Sequence, residues 1–315
     1  MNKNSRIFIA GHKGLVGSAV YRNLKLNGYK KILVIPKNKL DLKDQKKVEL
    51  YFKKNKIEYL IICAALAGGI MANQNYPVQF FNENILIQNS LLNSALKFKL
   101  KRTVFLGTSC IYPDESSTPI KEESLLKGYL HKSNEAYAIA KISGIKLCEA
   151  MYNQYNLDLV TLMPTNIYGI NDRYKEGFSH VIPALIMKFI KAKKNNSKYV
   201  EIWGDGSPER EFLFSDDLAE AINLVLKTSK KKLYNLCNNN FPIINVGSKE
   251  IYSIKILTEL IAEKINFTGK IIYNKKYPNG VMKKDLDNSR LKKLGWKPKI
   301  KLREGLDVVL KNIKY

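Results

Sequence analysis

The chain has 315 residues, of which 45% are hydrophobic, and its 53 lysines and arginines against 28 acidic residues give a net charge of +25. This length suits one large domain or two smaller ones, and the composition excludes a disordered protein. The basic residues are spread along the chain, without interleaved aromatics or an RNA- or DNA-reading motif. We therefore expect no nucleic-acid partner and a general attraction for anionic ligands.

The sequence shows neither a membrane segment nor a disulfide framework. No stretch approaches the roughly 20 apolar residues of a membrane span, and the N-terminus does not resemble a secretory signal. Cys63, Cys110, Cys148 and Cys237 form no CxxC pair, which argues against disulfides and against a metal site. Cys63 and Cys148 lie in apolar runs and are expected to be small buried hydrophobes. We therefore expect a cytoplasmic protein that binds neither a membrane nor a metal.

Short apolar runs alternate with helical patterns in the first half of the chain. Strands are predicted at 6–10, 31–35, 58–65, 102–107 and 158–164, and helices near 18–27, 45–54, 77–98 and 134–155. The nearly continuous apolar runs suit strands that are covered on both faces. The alternation implies right-handed crossovers, so the predicted fold class is α/β with a doubly wound parallel Rossmann sheet.

The pattern changes after Pro164. A turn-rich loop leads to a helix at 181–194, a strand, turn and strand over 198–214, and a helix at 216–228 with Ser215 as its expected N-cap. Beyond them we predict helices at 253–265, 288–294 and 302–312 and a strand near 270–273. We expect a cofactor domain at 1–170 with a return segment at 211–246, and a smaller mixed C-terminal substrate domain from 171–210 and 247–315.

A glycine-rich turn follows the first predicted strand. The segment "GHKGLVG" places Gly11, Gly14 and Gly17 between that strand and the first helix. Glycines there permit a tight turn and close approach of the backbone to a pyrophosphate, and the helix N-terminus attracts the anion. The alternative is an ordinary glycine-rich turn, but the position between strand and helix favours a dinucleotide site.

The end of the second predicted strand discriminates between dinucleotides. A chain that uses NAD usually has an acidic residue there, whereas "VIPKNK" offers Lys37 and Lys39. Two cations suit a 2'-phosphate and Lys13 adds a third, so we expect NADP(H), although lysines are common throughout this chain. Asp41 and Leu42 follow a few residues later, where they could reach the adenine.

Tyr137 and Lys141 have the spacing YxxxK on the predicted helix 134–155. Residues i and i+4 share a helix face, so the ammonium can lie beside the phenol and lower its pKa, and it can also hold the nicotinamide ribose. A surface tyrosine and lysine would give the same spacing by chance. The glycine turn and a hydroxyl at the end of the fourth strand make the combination far more specific.

This order of motifs resembles the extended short-chain dehydrogenase/reductase family, whose catalytic triad is Ser/Thr, Tyr and Lys. The family's hydroxyl lies four residues before a tyrosine in the strand-end motif, which selects Thr108 before Tyr112. Most relatives have serine there, so Thr108 is a mild departure that keeps the hydroxyl and adds a methyl group.

Further blocks are similar to one branch of that family, which epimerises and reduces GDP-4-keto-6-deoxy-D-mannose to GDP-L-fucose. They include "GGIMAN", "GTSCIYP", "MPTNIYG", "SHVIPALI" and "WGDGSPEREFLFSDDLA", and the resemblance covers about residues 6–246. It implies that Cys110 and His180 act as base and acid at C3 and C5, whose hydrogens the C4 ketone acidifies. NADPH then reduces C4 while Tyr137 protonates the oxygen and Thr108 helps to hold it.

The same resemblance implies a nucleotide-sugar site in the second domain. Asn166 would line the sugar pocket, Arg210 and Lys188 would contact the diphosphate, Trp203 would pack on the base or sugar, and Lys284 is a further candidate. One departure is "ALAGGI", where the family typically has "AKVGGI": Leu66 and Ala67 remove a cation, so the sugar could differ from the 6-deoxyhexose.

Several alternatives remain open at this stage. The chain could reduce or epimerise another GDP-4-keto sugar, such as a deoxyheptose, or it could be a silent dinucleotide-binding protein. Retention of both the triad and the Cys110 and His180 pair argues against a silent protein. Relatives commonly pair through two helices of the cofactor domain, so we expect a homodimer formed by 77–98 and 134–155.

Overall fold

The computed structural model describes residues 1–277 and 281–313. Its central sheet is parallel and has six strands, which are β1 (Ile7–Ala10), β2 (Ile32–Leu33), β3 (Tyr59–Ile62), β4 (Arg102–Leu106), β5 (Leu159–Pro164) and β9 (Ile243–Val246). Their order across the sheet is β2-β1-β3-β4-β5-β9. Every strand bonds to its neighbours in parallel register, as expected for a sheet assembled through helical crossovers.

Helices cover both faces of this sheet. One face carries α1 (Leu15–Leu26), α7 (Ser215–Lys227), α8 (Lys230–Leu236) and α10 (Ser289–Lys293), and the other carries α2 (Gln45–Asn55), α4 (Pro77–Lys97) and α5 (Glu135–Tyr155). The side chains of β1 alternate between the two layers: Ile7 and Ile9 pack in the first core, and Phe8 packs with Phe52 in the second. The predicted doubly wound α/β fold is therefore confirmed.

A smaller mixed region follows β5. Its strands are β6 (Asn166–Tyr168), β7 (Tyr199–Trp203), β8 (Glu209–Phe214), β10 (Ile251–Ser253), β11 (Lys270–Asn274) and β12 (Lys283–Lys284). Strand β8 pairs with β6, β10 and β12, and β7 pairs with β11. Helices α6 (Val181–Lys194), α9 (Ile254–Ile265) and α11 (Leu302–Asn312) enclose a third core with Ile186, Phe189 and Leu306. The predicted domain boundaries stay a prediction.

Local details differ from the sequence-based expectations. Strand β2 pairs over two residues only, where 31–35 was expected. Ser215 is the first residue of α7 and not its N-cap: Phe214 holds the cap position, and Ser215 Oγ bonds to Asp216 Oδ2 at 3.1 Å. A short helix, α3 (Ile70–Asn75), and strand β9 were not predicted as separate elements: α3 is too short to show a periodic pattern, and Asn245 interrupts the apolar run of β9.

The sheet order creates a crevice at the ends of β1 and β3. Helix α1 packs on one face and α2 on the other, so the chain reverses direction across the sheet between these two strands. Ligands of open α/β sheets bind at such a switch point, beyond the carboxyl ends of the strands. A Cβ atom placed on Gly11 would lie 2.7 Å from the Ala64 nitrogen, which shows how closely the two strand ends approach.

Candidate active site

The glycine turn occupies this switch point. Gly11 has φ +89°, in the left-handed region, and a Cβ on Gly17 would lie 2.2 Å from the Gly11 oxygen. Gly14 is the N-cap of α1 and offers no side-chain acceptor to the amides of the first turn. Such amides bind phosphate oxygens at a helix N-terminus. The turn therefore fits the pyrophosphate of a dinucleotide.

The residues predicted to contact the adenosine end are on the same side of the sheet. Lys13 and Lys37 are exposed, and neither forms an ion pair with any residue in the described ranges. Asp41 is already engaged, because Oδ1 accepts a bond from the Lys43 nitrogen at 3.0 Å. Leu42 is half-buried against the second core. These unpaired cations suit the 2'-phosphate of NADP(H), whereas an NAD site usually has an acidic residue that binds the ribose hydroxyl.

Lys141 lies on the buried side of α5. It is only 4% exposed, and its Nζ donates to the Leu106 carbonyl at 2.8 Å. Burial lowers its pKa to about 8. Tyr137 is one turn earlier on the helix, and burial raises its pKa, with the Cys110 thiolate acting in the same direction. This is the opposite of the lowering that the sequence predicts, because burial favours the neutral phenol and the Lys141 ammonium donates to the Leu106 oxygen.

Thr108 and Cys110 lie in the turn that ends β4. Residues Ser109–Ile111 form one turn of 3-10 helix, and Thr108 caps it by accepting a bond from the Cys110 nitrogen at 3.3 Å. Cys110 is partly exposed. Cys110 adds to the raised pKa of Tyr137 and partly offsets the lowering of the Arg210 pKa by burial, so it interacts electrostatically with both groups. The structure thus brings together residues that are far apart in the sequence.

His180 is connected to the Tyr137 region indirectly, through the contacts that the preceding residues make with the loop at Gly68 and Gly69. It is the N-cap of α6, and the residue is exposed to solvent. The protein around the imidazole still removes part of its hydration, and this desolvation lowers the pKa of His180. The preceding Phe178 oxygen accepts a bond from the Gly69 nitrogen at 2.9 Å. A Cβ on Gly68 would lie 3.2 Å from the Phe80 ring, and that ring packs edge-on against Tyr137 with centroids 6.1 Å apart.

Three of the predicted nucleotide-sugar contacts lie on β8 and the strands paired with it: Asn166 on β6, Arg210 on β8 and Lys284 on β12. Asn166 Nδ2 donates to the Glu211 oxygen at 3.0 Å, which fixes the amide beside Arg210. Arg210 is paired in register with Lys284 on β12, so these two cations lie side by side. Burial lowers the pKa of Arg210, and its Nη1 donates to the carbonyl oxygens of Glu209 and Val281. The guanidinium is therefore held in place before any ligand arrives.

Trp203 and Lys188 form a second group at the end of β7. Lys188 Nζ lies 5.1 Å from the centre of the Trp203 ring and donates to the Glu201 oxygen at 3.0 Å. Burial lowers the pKa of Lys188, so this lysine is not a freely solvated surface residue. The Trp203 ring also stacks on the ring of Tyr277, with centroids 4.5 Å apart. Both rings remain about 40% exposed, at 42% and 41%.

Several site residues were not predicted from the sequence. Phe80 packs on Tyr137, and Asn84 binds both backbone groups of Leu66 through bonds of 2.9 and 3.0 Å. Asn84 is buried within a helix, and its spacing of i to i+4 from the buried Gln88 is the one signal that could have found it, because both polar residues lie on the packed face of α4. The loop with the Leu66 and Ala67 departure is therefore anchored to α4.

Two further properties concern metals and membranes. All four cysteines are free, and the described residues contain no group of three or more His, Cys, Asp or Glu that could hold a metal ion. Within the same residues, no helix combines the length and apolar character needed to cross a membrane.

The parallel sheet, the glycine turn and the Tyr137–Lys141 pair define a dinucleotide-binding protein of the short-chain dehydrogenase/reductase class. Comparison with known proteins makes this more specific. The chain belongs to the NAD dependent epimerase/dehydratase family, whose model matches residues 7–237.

Individual relatives match nearly the whole chain. GDP-L-fucose synthase 1 of Arabidopsis thaliana is 42% identical, over 99% of this chain and 95% of its own length. A GDP-6-OMe-4-keto-L-xylo-heptose reductase from Campylobacter jejuni has a similar crystal structure, with TM-score 0.92, 33% identity and coverage of 99% and 98%. A GDP-mannoheptose C4 reductase from the same organism, with NADP bound, has TM-score 0.88, 34% identity and the same coverage.

Proposed function

We propose that this protein is an NADPH-dependent 3,5-epimerase and 4-reductase that converts GDP-4-keto-6-deoxy-D-mannose to GDP-L-fucose. The observation that carries the proposal is the partly exposed Cys110 thiol in the Thr108-capped turn at the end of β4, the strand whose Leu106 oxygen accepts a bond from Lys141. A thiol in the same strand-end turn as the Thr108 hydroxyl is suited to chemistry on the sugar itself. The 42% identity to a GDP-L-fucose synthase supports this substrate.

In the epimerisation, Cys110 and His180 act as the base and acid. The thiolate removes the proton on C3, the electrons move into the C4 carbonyl as an enolate, and the imidazolium returns a proton to the opposite face. Exchange with solvent then deprotonates the thiol and protonates the imidazole again, and the same pair inverts C5. Burial lowers the pKa of His180 in the free chain, and the negative charge of a bound GDP-sugar raises it again, which favours the proton-donating form.

In the reduction, the bound NADPH supplies hydride to C4. Tyr137 donates its proton to the C4 oxygen, and its raised pKa keeps the phenol protonated before the reaction. Thr108 holds the same oxygen, and Lys141 holds the nicotinamide ribose. Gly11, Gly14, Gly17, Lys13 and Lys37 bind the phosphates of the cofactor, and Asp41 and Leu42 contact its adenosine end.

The GDP portion of the substrate is bound by residues of the smaller mixed region. Arg210 and Lys284 form a pair of adjacent cations for the diphosphate, and guanidinium offers bidentate bonds to phosphate. Trp203 contacts the base or sugar with Lys188 beside it, and Asn166 lines the sugar pocket. The net charge of +25 assists capture of such an anionic ligand.

A second candidate is a C4 reductase or epimerase for another GDP-4-keto sugar, such as a deoxyheptose. Leu66 and Ala67 replace a family cation in a loop that Asn84 anchors beside the site. A less polar wall there suits a different substituent on the sugar. The similarity to a heptose reductase supports this alternative.

The decisive experiment supplies GDP-4-keto-6-deoxy-D-mannose and NADPH in heavy water. NADPH absorbance follows the reduction, and mass spectrometry follows deuterium uptake at C3 and C5. We expect both signals for the native protein, no uptake for Cys110→Ala, and uptake without NADPH oxidation for Tyr137→Phe. Reduction without deuterium uptake by the native protein would favour the C4 reductase instead.

The proposal extends to assembly and location. We propose a homodimer that pairs through α4 and α5, because both helices expose apolar side chains. Four free thiols suit a reducing compartment, so we propose that the protein works in the cytoplasm.

A further inference from the structure

A buried amide holds the loop that follows the Cys110 turn. Asn245, on β9, has no exposed surface. Its Oδ1 accepts a bond from the Tyr112 hydroxyl at 2.6 Å, and its Nδ2 donates to the Ile120 oxygen at 2.9 Å. Both polar ends of the side chain are therefore satisfied within the 112–120 loop. In a buried environment, such bonds fix one geometry because losing either partner leaves an unsatisfied group.

The backbone of Asn245 adds another attachment. Its nitrogen donates to Glu122 Oε1 at 2.9 Å, and Arg290 Nε lies 3.6 Å from Glu122 Oε2. Glu122 is 6% exposed, and burial raises its pKa. One residue at the edge of the central sheet therefore connects to both ends of the 112–122 loop.

These attachments determine where the Cys110 turn can lie. The turn leaves β4 at Leu106, and Tyr112 closes it through a bond of 3.3 Å from its nitrogen to the Ser109 oxygen. Ile111 and Tyr112 are both fully buried, whereas Cys110 between β4 and Tyr112 is partly exposed. The turn is thus fixed at β4 on one side and at the Tyr112–Asn245 bond on the other.

We propose that Tyr112 and Asn245 are positioning residues, which hold the Cys110 thiol and the Thr108 hydroxyl at the angle and depth that the reaction needs. Neither residue is required to touch substrate. The catalytic consequence rests on the proposed function, but the placement of the thiol does not. A displacement of about 1 Å at a reacting group can cost about a hundredfold in rate.

The test compares Tyr112→Phe with the native protein in two measurements. The first is the rate at which iodoacetamide alkylates Cys110, read by peptide mass spectrometry across a pH series without substrate. We expect this rate profile to change by about threefold or more, while alkylation of the partly exposed Cys63 stays unchanged. The second is deuterium exchange at the sugar, for which we expect kcat to fall by about tenfold to a hundredfold. The KM for NADPH, read from NADPH oxidation, should stay unchanged.

Tyr168→Phe is the matched control. Tyr168 is also fully buried, but its hydroxyl has no hydrogen-bond partner among residues 1–277 and 281–313, so its loss should leave both measurements at native values. Asn245→Ala provides the second variant and should reproduce the altered Cys110 profile. The double variant should be no worse than Asn245→Ala alone, because Asn245→Ala already removes the one bond that Tyr112→Phe removes.

Two results would overturn the proposal. One is native Cys110 alkylation and native exchange in folded Tyr112→Phe. The other is a fall in exchange, hydride transfer and NADPH-binding capacity by one common factor, which indicates only a loss of folded protein. Absence of exchange in the native protein would instead count against the proposed function, and the alkylation profile would still decide the positioning role.

Discussion

Lys141 is the residue at which burial and function conflict most clearly. Its ammonium lies within the fold, bonded to the Leu106 oxygen and 5.0 Å from the centre of the Phe105 ring. Burial lowers its pKa from 10.5 to about 8. Below pH 8 the folded chain must bury a charge that the unfolded chain exposes to water. This cost declines as the pH rises from about 8 to 10.5, because the folded chain then releases its proton before the unfolded chain does.

Lys141→Met should remove this pH dependence along with the reductase activity. The interval between the two pKa values corresponds to at most about 3 kcal/mol. We therefore expect the native protein to gain up to that amount of unfolding free energy, relative to Lys141→Met, between pH 7 and pH 10.5. Urea unfolding of both proteins at each pH measures the difference. An equal difference at the two pH values would contradict the buried, partly neutral lysine.

At the level of elements, the turn between β1 and α1 requires glycine at Gly17 and at Gly14 for different physical reasons. A Cβ on Gly17 would meet the Gly11 backbone at 2.2 Å, whereas one on Gly14 would be 3.5 Å from the nearest atom, an ordinary contact. Gly14 also has φ −78°, which any residue can adopt. Helix packing therefore requires Gly17, while Gly14 is required only by a ligand that approaches the backbone closely.

The pair Gly17→Ala and Gly14→Ala separates these tasks. Gly17→Ala should lower the free energy of unfolding by about 1–3 kcal/mol through overpacking. Gly14→Ala should leave stability within about 0.5 kcal/mol of native while weakening NADPH binding at the pyrophosphate. Thermal unfolding and fluorescence titration with NADPH provide the two measurements. Native NADPH affinity in Gly14→Ala would remove this glycine from the predicted cofactor site.

Elements also show where sequence patterns were sufficient. Helices such as α5 and α6 carry several turns of apolar periodicity, and their predicted bounds agree with the structure to within one residue, whereas α1 begins at Leu15 and not at the predicted 18. Strand β2 and helix α3 are too short for any period to develop. The cap of α7 was wrong because Ser215 bonds to its neighbour Asp216 and not to the helix backbone.

At the scale of the whole molecule, one surface is markedly apolar. Val78, Phe81 and Leu86 on α4 are 64%, 37% and 49% exposed, and Ile139 on α5 is 42% exposed. The two helices pack against each other, and both expose apolar side chains on the cofactor-binding half. An exposed apolar surface of this kind is suited to a second copy of the chain, and it supports the proposed homodimer.

Leu86→Glu should convert that dimer to a monomer, because it would bury a charge in an apolar interface. Leu26→Glu is the matched control, since Leu26 is 87% exposed on α1, which covers the opposite face of the sheet. Sedimentation velocity should show native assembly for the control and a single protomer for Leu86→Glu. A native protein that sediments as a monomer, or two variants that behave alike, would refute the proposed interface.

The sequence by itself determined the order of strands and helices, the glycine turn and the spacing of Tyr137 and Lys141, because these depend on neighbouring residues and on local periodicity. Only the tertiary structure decided that Lys141 bonds to the Leu106 oxygen, that Lys284 is beside Arg210, and that Asn245 holds Tyr112. Each of these contacts joins residues that are tens to more than a hundred positions apart. Their meeting depends on which strand ends become neighbours in the sheet, and no local pattern of residues encodes that choice.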